Sequence, residues 1–111
     1  MTEYTPDNWV VIRMTNEGKT FYKVLAGWSG GYLDGNSWRM NSGITKVEEA
    51  GDYWIFHGAS GSTYRCFKEF YKLRMNNAHI WEKLSNGYPE NVHMMDEATD
   101  WSKIEWGLSD A

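Results

Sequence analysis

The 111-residue chain has the length of one domain with a core of modest size, and its 16 % aromatic content predicts a core of large rings. Its net charge of −4 is unevenly spread: residues 1–81 carry nine Lys/Arg and eight Asp/Glu, whereas residues 82–111 carry two and seven. A protein that binds duplex nucleic acid has a clustered basic face, so we expect no duplex nucleic acid as a partner.

The sequence also bounds the compartment and the domain count. Cys66 is the single cysteine, which excludes an intramolecular disulfide. No apolar run approaches the roughly 20 residues of a membrane span, and the start of the chain has neither the charge nor the apolar core of a signal peptide. We therefore expect a cytoplasmic protein with no membrane partner. Without linkers or repeats, one domain over 1–111 is predicted.

The chain before Phe67 has the period-two alternation and β-branched content typical of strands. A first strand, Trp9–Met14, and a second, Phe21–Ala26, are predicted to form an antiparallel hairpin. The connection Gly27–Asn36 that follows is longer than a hairpin needs. The remaining predicted strands are Ser37–Asn41, Ile44–Glu49, Tyr53–His57 and Thr63–Phe67.

After this region the pattern becomes helical. Three helices are predicted: one with Phe67, Phe70, Tyr71 and Arg74 on one side, one at Asn77–Asn86, and a short one carrying Ala98, Trp101 and Ile104. Gly87 is predicted to end the second in a left-handed conformation, and Asp96 or Thr99 to cap the third. The expected fold is α+β, with a twisted or barrel-like antiparallel sheet of five or six strands followed by two or three short helices.

Two glycine- and serine-rich loops are the candidate binding elements. Gly27–Asn36 fits no nucleotide fingerprint, since it lacks the Gly-Lys-Ser/Thr ending of a P-loop and joins two strands. Gly58–Ser62 has a similar composition, and each loop runs into a strand with an aromatic–arginine pair, Trp38–Arg39 and Tyr64–Arg65. Both loops could close over one anionic ligand. The alternative is that the glycines serve wide turns only.

In the binding interpretation, loop amides and serine hydroxyls hold phosphates, arginines neutralise charge, and Trp28 or Tyr32 stacks on a base or sugar. The alternative places the arginines on a solvated face, where Arg65 covers Trp54 in the simplest register and contributes about 0.5–1 kcal/mol. The predicted ligand-binding residues are Trp28, Ser29, Gly30, Gly31, Tyr32, Trp38, Arg39, Ser60, Gly61, Tyr64 and Arg65.

The sequence offers little for catalysis. Cys66 and His57 suggest a nucleophile and base. The same register, however, places Cys66 beside Tyr53 and His57 beside Ser62. These positions are about three pairs apart, which at roughly 3.3 Å per residue is too far for a hydrogen bond. We therefore expect a buried, inert Cys66. The three histidines, His57, His79 and His93, have no metal-ligand spacing, so no metal and no cofactor are predicted.

Three stretches resemble a group of small tailed-phage accessory proteins of unassigned function. They are Gly27–Ile44, which contains Gly-Trp-Ser-Gly-Gly-Tyr and Ser-Trp-Arg-Met-Asn-Ser-Gly-Ile, then 58–66 and 73–77. Small phage proteins of this kind often counter host defences, many of which signal with nucleotides. The resemblance thus implies a role in the cytoplasm of an infected bacterium.

Taken together, these features predict a non-catalytic protein that binds a nucleotide-like anionic ligand and sequesters a host signalling nucleotide. One alternative is a protein that inhibits a host defence or metabolic enzyme through exposed Trp and Tyr side chains. A second is a small nucleotide hydrolase, against which the lack of a paired His motif, a carboxylate dyad or a metal cluster argues. The sequence leaves homo-oligomerisation open.

Overall fold

The computed structural model describes residues 2–31 and 35–106, which form two four-stranded β-sheets, one α-helix and two single-turn 3₁₀ helices. The strands in chain order are β1 (Glu3–Tyr4), β2 (Asn8–Asn16), β3 (Lys19–Gly31), β4 (Gly35–Met40), β5 (Ile44–Ala50), β6 (Tyr53–Gly58), β7 (Thr63–Phe67) and β8 (Val92–Met94). The α-helix, α1, spans Ala78–Gly87, and the 3₁₀ helices span Lys68–Phe70 and Trp101–Lys103.

The strands divide between a sheet I, in the order β1-β7-β6-β5, and a sheet II, in the order β4-β3-β2-β8. All neighbours are antiparallel except β1 and β7, which are parallel. The β-rich, mostly antiparallel character is as predicted. The prediction of one sheet of five or six strands is wrong, since the described residues form two sheets and no closed barrel.

The hairpin of β2 and β3 is confirmed, with Val11 opposite Val24 and the positive φ angles of Glu17 and Gly18 at its turn. β3 then continues to Gly31 and pairs with β4, with a register shift between Ser29 and Gly31. Most of the predicted long connection at 27–36 is therefore strand.

The space between the two sheets holds the main core. Side chains of both sheets meet there with two tryptophans from the end of the described chain, and the rings of Trp9 and Phe56 lie 5.5 Å apart. Burying one such large side chain contributes about 1.5–3 kcal/mol. The buried residues of this core are Trp9, Val11, Val24, Ala26, Ile44, Phe56, Tyr64, Cys66, Trp101 and Trp106.

Helix α1 covers the other face of sheet II, where Ile80, Trp81 and Leu84 pack near Leu25 and its neighbours on β2. The predicted helix at 77–86 is confirmed within one residue at each end. Its predicted left-handed stop is wrong, because Gly87 is the last helical residue and has no positive φ. No helix in the described ranges is long and apolar enough to cross a membrane.

The predicted helix at Phe67–Arg74 is wrong. Phe67 ends β7, a single 3₁₀ turn follows, and Tyr71 bridges to Trp9. The Tyr71 hydroxyl accepts from the amide of Val11 at 3.2 Å and donates to the Met95 carbonyl at 2.5 Å. Tyr71 therefore has different partners from Phe67, and the two do not share a helical face.

The predicted terminal helix is one 3₁₀ turn, with Trp101 buried. Its N-cap is Asp100, whose carboxylate accepts from the Ser102 amide at 3.1 Å, so the predicted caps Asp96 and Thr99 are wrong. Asp96 instead accepts from the amide of Ala98 in the turn before it.

Candidate ligand groove beside Ser29

Three buried asparagines join the start of β2 to the segment before α1, and we call Asn8, Asn76 and Asn77 the asparagine triad. Their exposed fractions are 0 %, 1 % and 0 %. The side-chain Nδ2 of Asn8 donates to the Oδ1 atoms of Asn76 and Asn77 at 3.1 and 3.2 Å, and Nδ2 of Asn76 donates to Asn8 Oδ1 at 2.7 Å. Buried amides are costly unless they are paired, so these bonds fix the three side chains together.

The triad also holds the surrounding backbone. Asn77 donates to the carbonyl of Leu25 on β3 at 3.3 Å, and its Oδ1 accepts from the Arg74 amide at 2.9 Å. Asn8 donates to the Lys72 carbonyl at 3.1 Å. The segment 72–77 is thereby fixed against sheet II.

Gly27 is a strand residue that must be glycine because the triad lies so close to it. A Cβ atom at this position would lie 2.0 Å from Asn76 Oδ1, far inside van der Waals contact. Two residues further on, the Ser29 hydroxyl accepts from Asn76 Nδ2 at 3.0 Å. The absence of a side chain at Gly27 therefore leaves room for the side-chain amide of Asn76, which in turn positions the Ser29 hydroxyl.

A groove of about 290 Å³ opens next to Ser29. Asp7 accepts from the Ser29 amide at 2.8 Å through Oδ2, and its own amide donates to the Gly27 carbonyl at 2.9 Å. Phe70 is 38 % exposed and its ring lies 5.8 Å from that of Phe67. The groove is lined by Thr5, Pro6, Asp7, Ser29, Phe67, Phe70 and Arg74.

The lining combines groups of different chemistry. Arg74 is exposed, and among the described residues no carboxylate lies within ion-pair distance of its guanidinium. Both backbone groups of Arg74 are hydrogen-bonded to Asn77, which fixes the position of its Cα atom. An exposed phenylalanine, an arginine, a serine and an aspartate thus line one small space, a set of residues suited to an amphipathic, charged ligand.

Among the predicted site residues, Trp28, Arg39 and Tyr64 meet around Tyr4. The Trp28 indole donates to the Thr5 carbonyl at 3.0 Å, and the Arg39 guanidinium stacks 4.7 Å from the centre of the Tyr4 ring. Tyr64 is 2 % exposed, and burial raises its pKa to about 12 even though the nearby Arg39 charge lowers it. These contacts are packing contacts between the two sheets, with Tyr4 and Tyr64 on sheet I and Trp28 and Arg39 on sheet II.

Arg65 lies away from this cluster. Its guanidinium stacks 4.7 Å from the centre of the Tyr53 ring and lies 3.6 Å from the Glu3 carboxylate. The register places it opposite Ile55, so the predicted pairing with Trp54 is wrong by one residue. The shift arises because the Gly58 amide donates to the Ser62 carbonyl, which closes the hairpin one residue later than expected.

The backbone amides of the second predicted binding loop, Gly58–Ser62, donate hydrogen bonds to acceptors within the protein. The Ser60 amide donates to the Ser42 hydroxyl at 2.9 Å, and the Gly61 amide donates to the Gly58 carbonyl at 3.0 Å, with a φ of 98° at Gly61. The Ala59 amide donates to the Gly43 carbonyl. These amides point to protein acceptors, and the loop does not join the groove.

The remaining predicted residues are on or next to the β3–β4 hairpin. Gly30 and Gly31 belong to β3, and Tyr32 lies outside the described residues. Trp38 is opposite Gly27 on the edge strand β4 and is 43 % exposed. Ser29 is thus the predicted binding residue that lines the groove.

Cys66 is fully buried, as predicted, and burial raises the pKa of its thiol well above the usual value. The His57 imidazole lies 3.2 Å from a carboxylate oxygen of Glu48. In the register of β6 and β7, Cys66 is opposite Trp54 and His57 is opposite Thr63, so the two are three pairs apart. No group of His, Cys, Asp and Glu side chains suited to a metal ion occurs in the part of the chain that the structure describes.

Comparison of the chain with protein families, curated proteins and solved structures found no match. The site therefore rests on its own geometry. Sequence reasoning missed Asp7, Phe70 and the asparagine triad as parts of it, and assigned Arg74 to a helix. A paired Asn-Asn before a helix looks like a capping signal, and nothing in the sequence links it to Asn8.

Proposed function

We propose that the protein is a non-catalytic binding protein for a small nucleotide-like anion, which it holds in the groove beside Ser29. The observation that carries this proposal is that Phe70, which is 38 % exposed, and the exposed Arg74 line one groove of about 290 Å³. Stacking of a base on an aromatic ring contributes about 1–3 kcal/mol. A guanidinium binds phosphate through two parallel hydrogen bonds.

The asparagine triad supports this proposal because it makes the groove rigid before a ligand arrives. Ser29 is held by Asn76, and the backbone of Arg74 is held by Asn77. A site whose parts are already fixed loses little conformational entropy on binding. We therefore expect the ligand to bind without a large change in the fold.

The resemblance to small tailed-phage accessory proteins suggests the biological setting. In this proposal the ligand is a signalling nucleotide of an infected bacterium, and the protein lowers its free concentration in the cytoplasm. Sequestration needs affinity and abundance but no reaction, which agrees with a groove that offers binding contacts.

The proposal is tested by calorimetric titration of the purified protein with nucleoside monophosphates and with cyclic dinucleotides. Arg74→Ala should weaken binding about 10- to 150-fold, the equivalent of one charged hydrogen-bonded contact. Arg39→Ala is the matched control, because that guanidinium already stacks on Tyr4. It should bind as the parent does. Equal binding by the parent and Arg74→Ala would move the site elsewhere, and a parent that binds none of these nucleotides would end the proposal.

A second candidate function, inhibition of a host protein, is favoured by Trp38. This side chain is 43 % exposed on the edge strand β4, and tryptophan is enriched among the residues that dominate protein interfaces. A host protein that binds the parent and Tyr88→Ala, but not Trp38→Ala, would favour this function. Tyr88 serves as the control because it is also exposed, at 60 %.

A further inference from the structure

We infer that the groove selects a guanine-type base, with Asp7 as the residue that recognises it. This inference rests on the proposed function and names the class of its ligand. It starts from a feature that phosphate binding does not explain, namely a carboxylate in the lining of a groove for an anion.

Asp7 is held in place on both its backbone and its side chain. Its neighbours Pro6 and Asn8 are buried, and its amide donates to the Gly27 carbonyl. Its Oδ2 atom accepts from the Ser29 amide at 2.8 Å. Asp7 itself is exposed, and this hydrogen bond orients its carboxylate, while Oδ1 and the second lone pair of Oδ2 remain as acceptors.

An ionised carboxylate only accepts hydrogen bonds, so it distinguishes bases by their donors. Guanine presents two adjacent donors, N1–H and the exocyclic N2–H₂, which match the two oxygens of a carboxylate. Adenine presents one donor, N6–H₂, beside an acceptor at N1, whose lone pair would face the second carboxylate oxygen without a proton between them. A site built to accept from N–H groups discriminates strongly against a ligand that lacks them.

The two charges of the groove then have separate roles. Asp7 repels a free phosphate, whereas Arg74 attracts one, so the two charges of the lining offset each other for a bare anion. A nucleotide satisfies both, with its donor-bearing base at Asp7, its ring plane against Phe70 and its phosphate at Arg74. The same arrangement predicts weak binding of inorganic phosphate alone.

The first experiment compares GMP, IMP, AMP and inorganic phosphate by calorimetric titration of the unmodified protein. GMP should bind most tightly. IMP retains N1–H but lacks the N2 donors, and it should bind about 10-fold more weakly, as expected for one charged hydrogen bond. AMP should bind at least about 100-fold more weakly, since it offers a single donor, N6–H₂, and places an acceptor against the second carboxylate oxygen.

The second experiment exchanges the carboxylate for an amide with Asp7→Asn. The amide oxygen can still accept from Ser29, which leaves the NH₂ group facing the base. The preference for GMP over AMP should fall at least 10-fold, because the amide donates to adenine N1 and opposes guanine N1–H. Glu17→Gln, at the tip of the β2–β3 hairpin, removes the same charge far from the groove and should keep the preference of the parent.

The outcomes separate this inference from the proposed function. If GMP and AMP bind the parent equally and Arg74→Ala weakens both, the base selection is wrong while the groove remains the site. An unchanged GMP-to-AMP ratio in a folded Asp7→Asn protein would also overturn it. If no nucleotide binds the parent, both proposals are wrong. The comparison of bases on the parent decides the matter even if Asp7→Asn fails to fold.

Discussion

The substitution Gly27→Ala tests whether the asparagine triad holds the groove and the fold together. The new methyl group would lie 2.0 Å from Oδ1, 2.4 Å from Cγ and 2.8 Å from Nδ2 of Asn76. These distances are too short to be relieved by small shifts, so the Asn76 amide must leave its place. Gly27→Ala therefore acts as an indirect deletion of the Asn76 contacts.

The expected cost follows from the bonds that Asn76 would lose. It makes two hydrogen bonds with Asn8 and one with Ser29, at 3.1, 2.7 and 3.0 Å. At a net 0.5–1.5 kcal/mol each, the free energy of unfolding should fall by about 2–4 kcal/mol. That is a large part of the roughly 5–15 kcal/mol of a typical domain, and Tm should fall by about 10 °C or more.

Urea unfolding followed by tryptophan fluorescence measures this change directly. Gly87→Ala is the matched control, because no atom outside its chain neighbours and its own helix backbone lies within 4 Å of the added methyl group, and the residue ends a helix. It should be as stable as the parent or slightly more so. A double-mutant cycle supplies the decisive comparison, since Gly27→Ala should cost little more once Asn76→Ala has already removed the obstacle.

Two results would contradict this reasoning. One is a Gly27→Ala protein as stable as the parent, which would mean that the triad yields without cost. The other is an equal loss of unfolding free energy from Gly27→Ala in the parent and in Asn76→Ala, which would mean that the strain arises in the strand backbone.

Burial raises the pKa values of Tyr71 and Tyr64 to about 12, so the folded protein keeps two protons that the unfolded chain releases above about pH 10. Their contribution to stability is fully present below pH 10 and is lost as the pH rises towards 12. Ultraviolet titration should show two tyrosines that ionise at a higher pH than the others. Ionisation of all tyrosines together near pH 10 would contradict this. Cys66 should react with a thiol reagent at pH 8 only after denaturation, and Cys66→Ser should bind nucleotides as the parent does; rapid labelling of the native protein would show that the thiol is accessible.

The local strand pattern was predictable, whereas the way the strands assemble was not. Alternation in Trp9–Met14 and Phe21–Ala26 identifies which side chains share a face, and Gly18 marks the turn between them. It does not say which strands become neighbours, because period two is the same in one sheet or two. The parallel pairing of the two-residue β1 with β7 leaves no periodic signal at all.

The candidate site shows the same limit more sharply. Sequence reasoning selected glycine-rich segments and found Ser29, but the role of Gly27 depends on a side chain 49 positions away. Asn8 and Asn76 are typical turn or cap residues by composition, and their mutual hydrogen bonds are created by tertiary structure. Helical spacing at Phe67, Phe70 and Tyr71 predicted one helical face, whereas Phe67 and Phe70 pack on each other and Tyr71 contacts Trp9 and Met95 instead.

The asparagine triad has a further consequence for the order of folding events. Its hydrogen bonds join positions 68 and 69 residues apart, so they require closure of a loop that contains most of the chain. Such distant pairings slow folding, and chains dominated by them fold in about milliseconds to seconds. If the triad closes after the rate-limiting step, a nucleotide in the groove should leave the folding rate unchanged and slow unfolding. The ligand would then lengthen the lifetime of the native state without helping the chain to reach it.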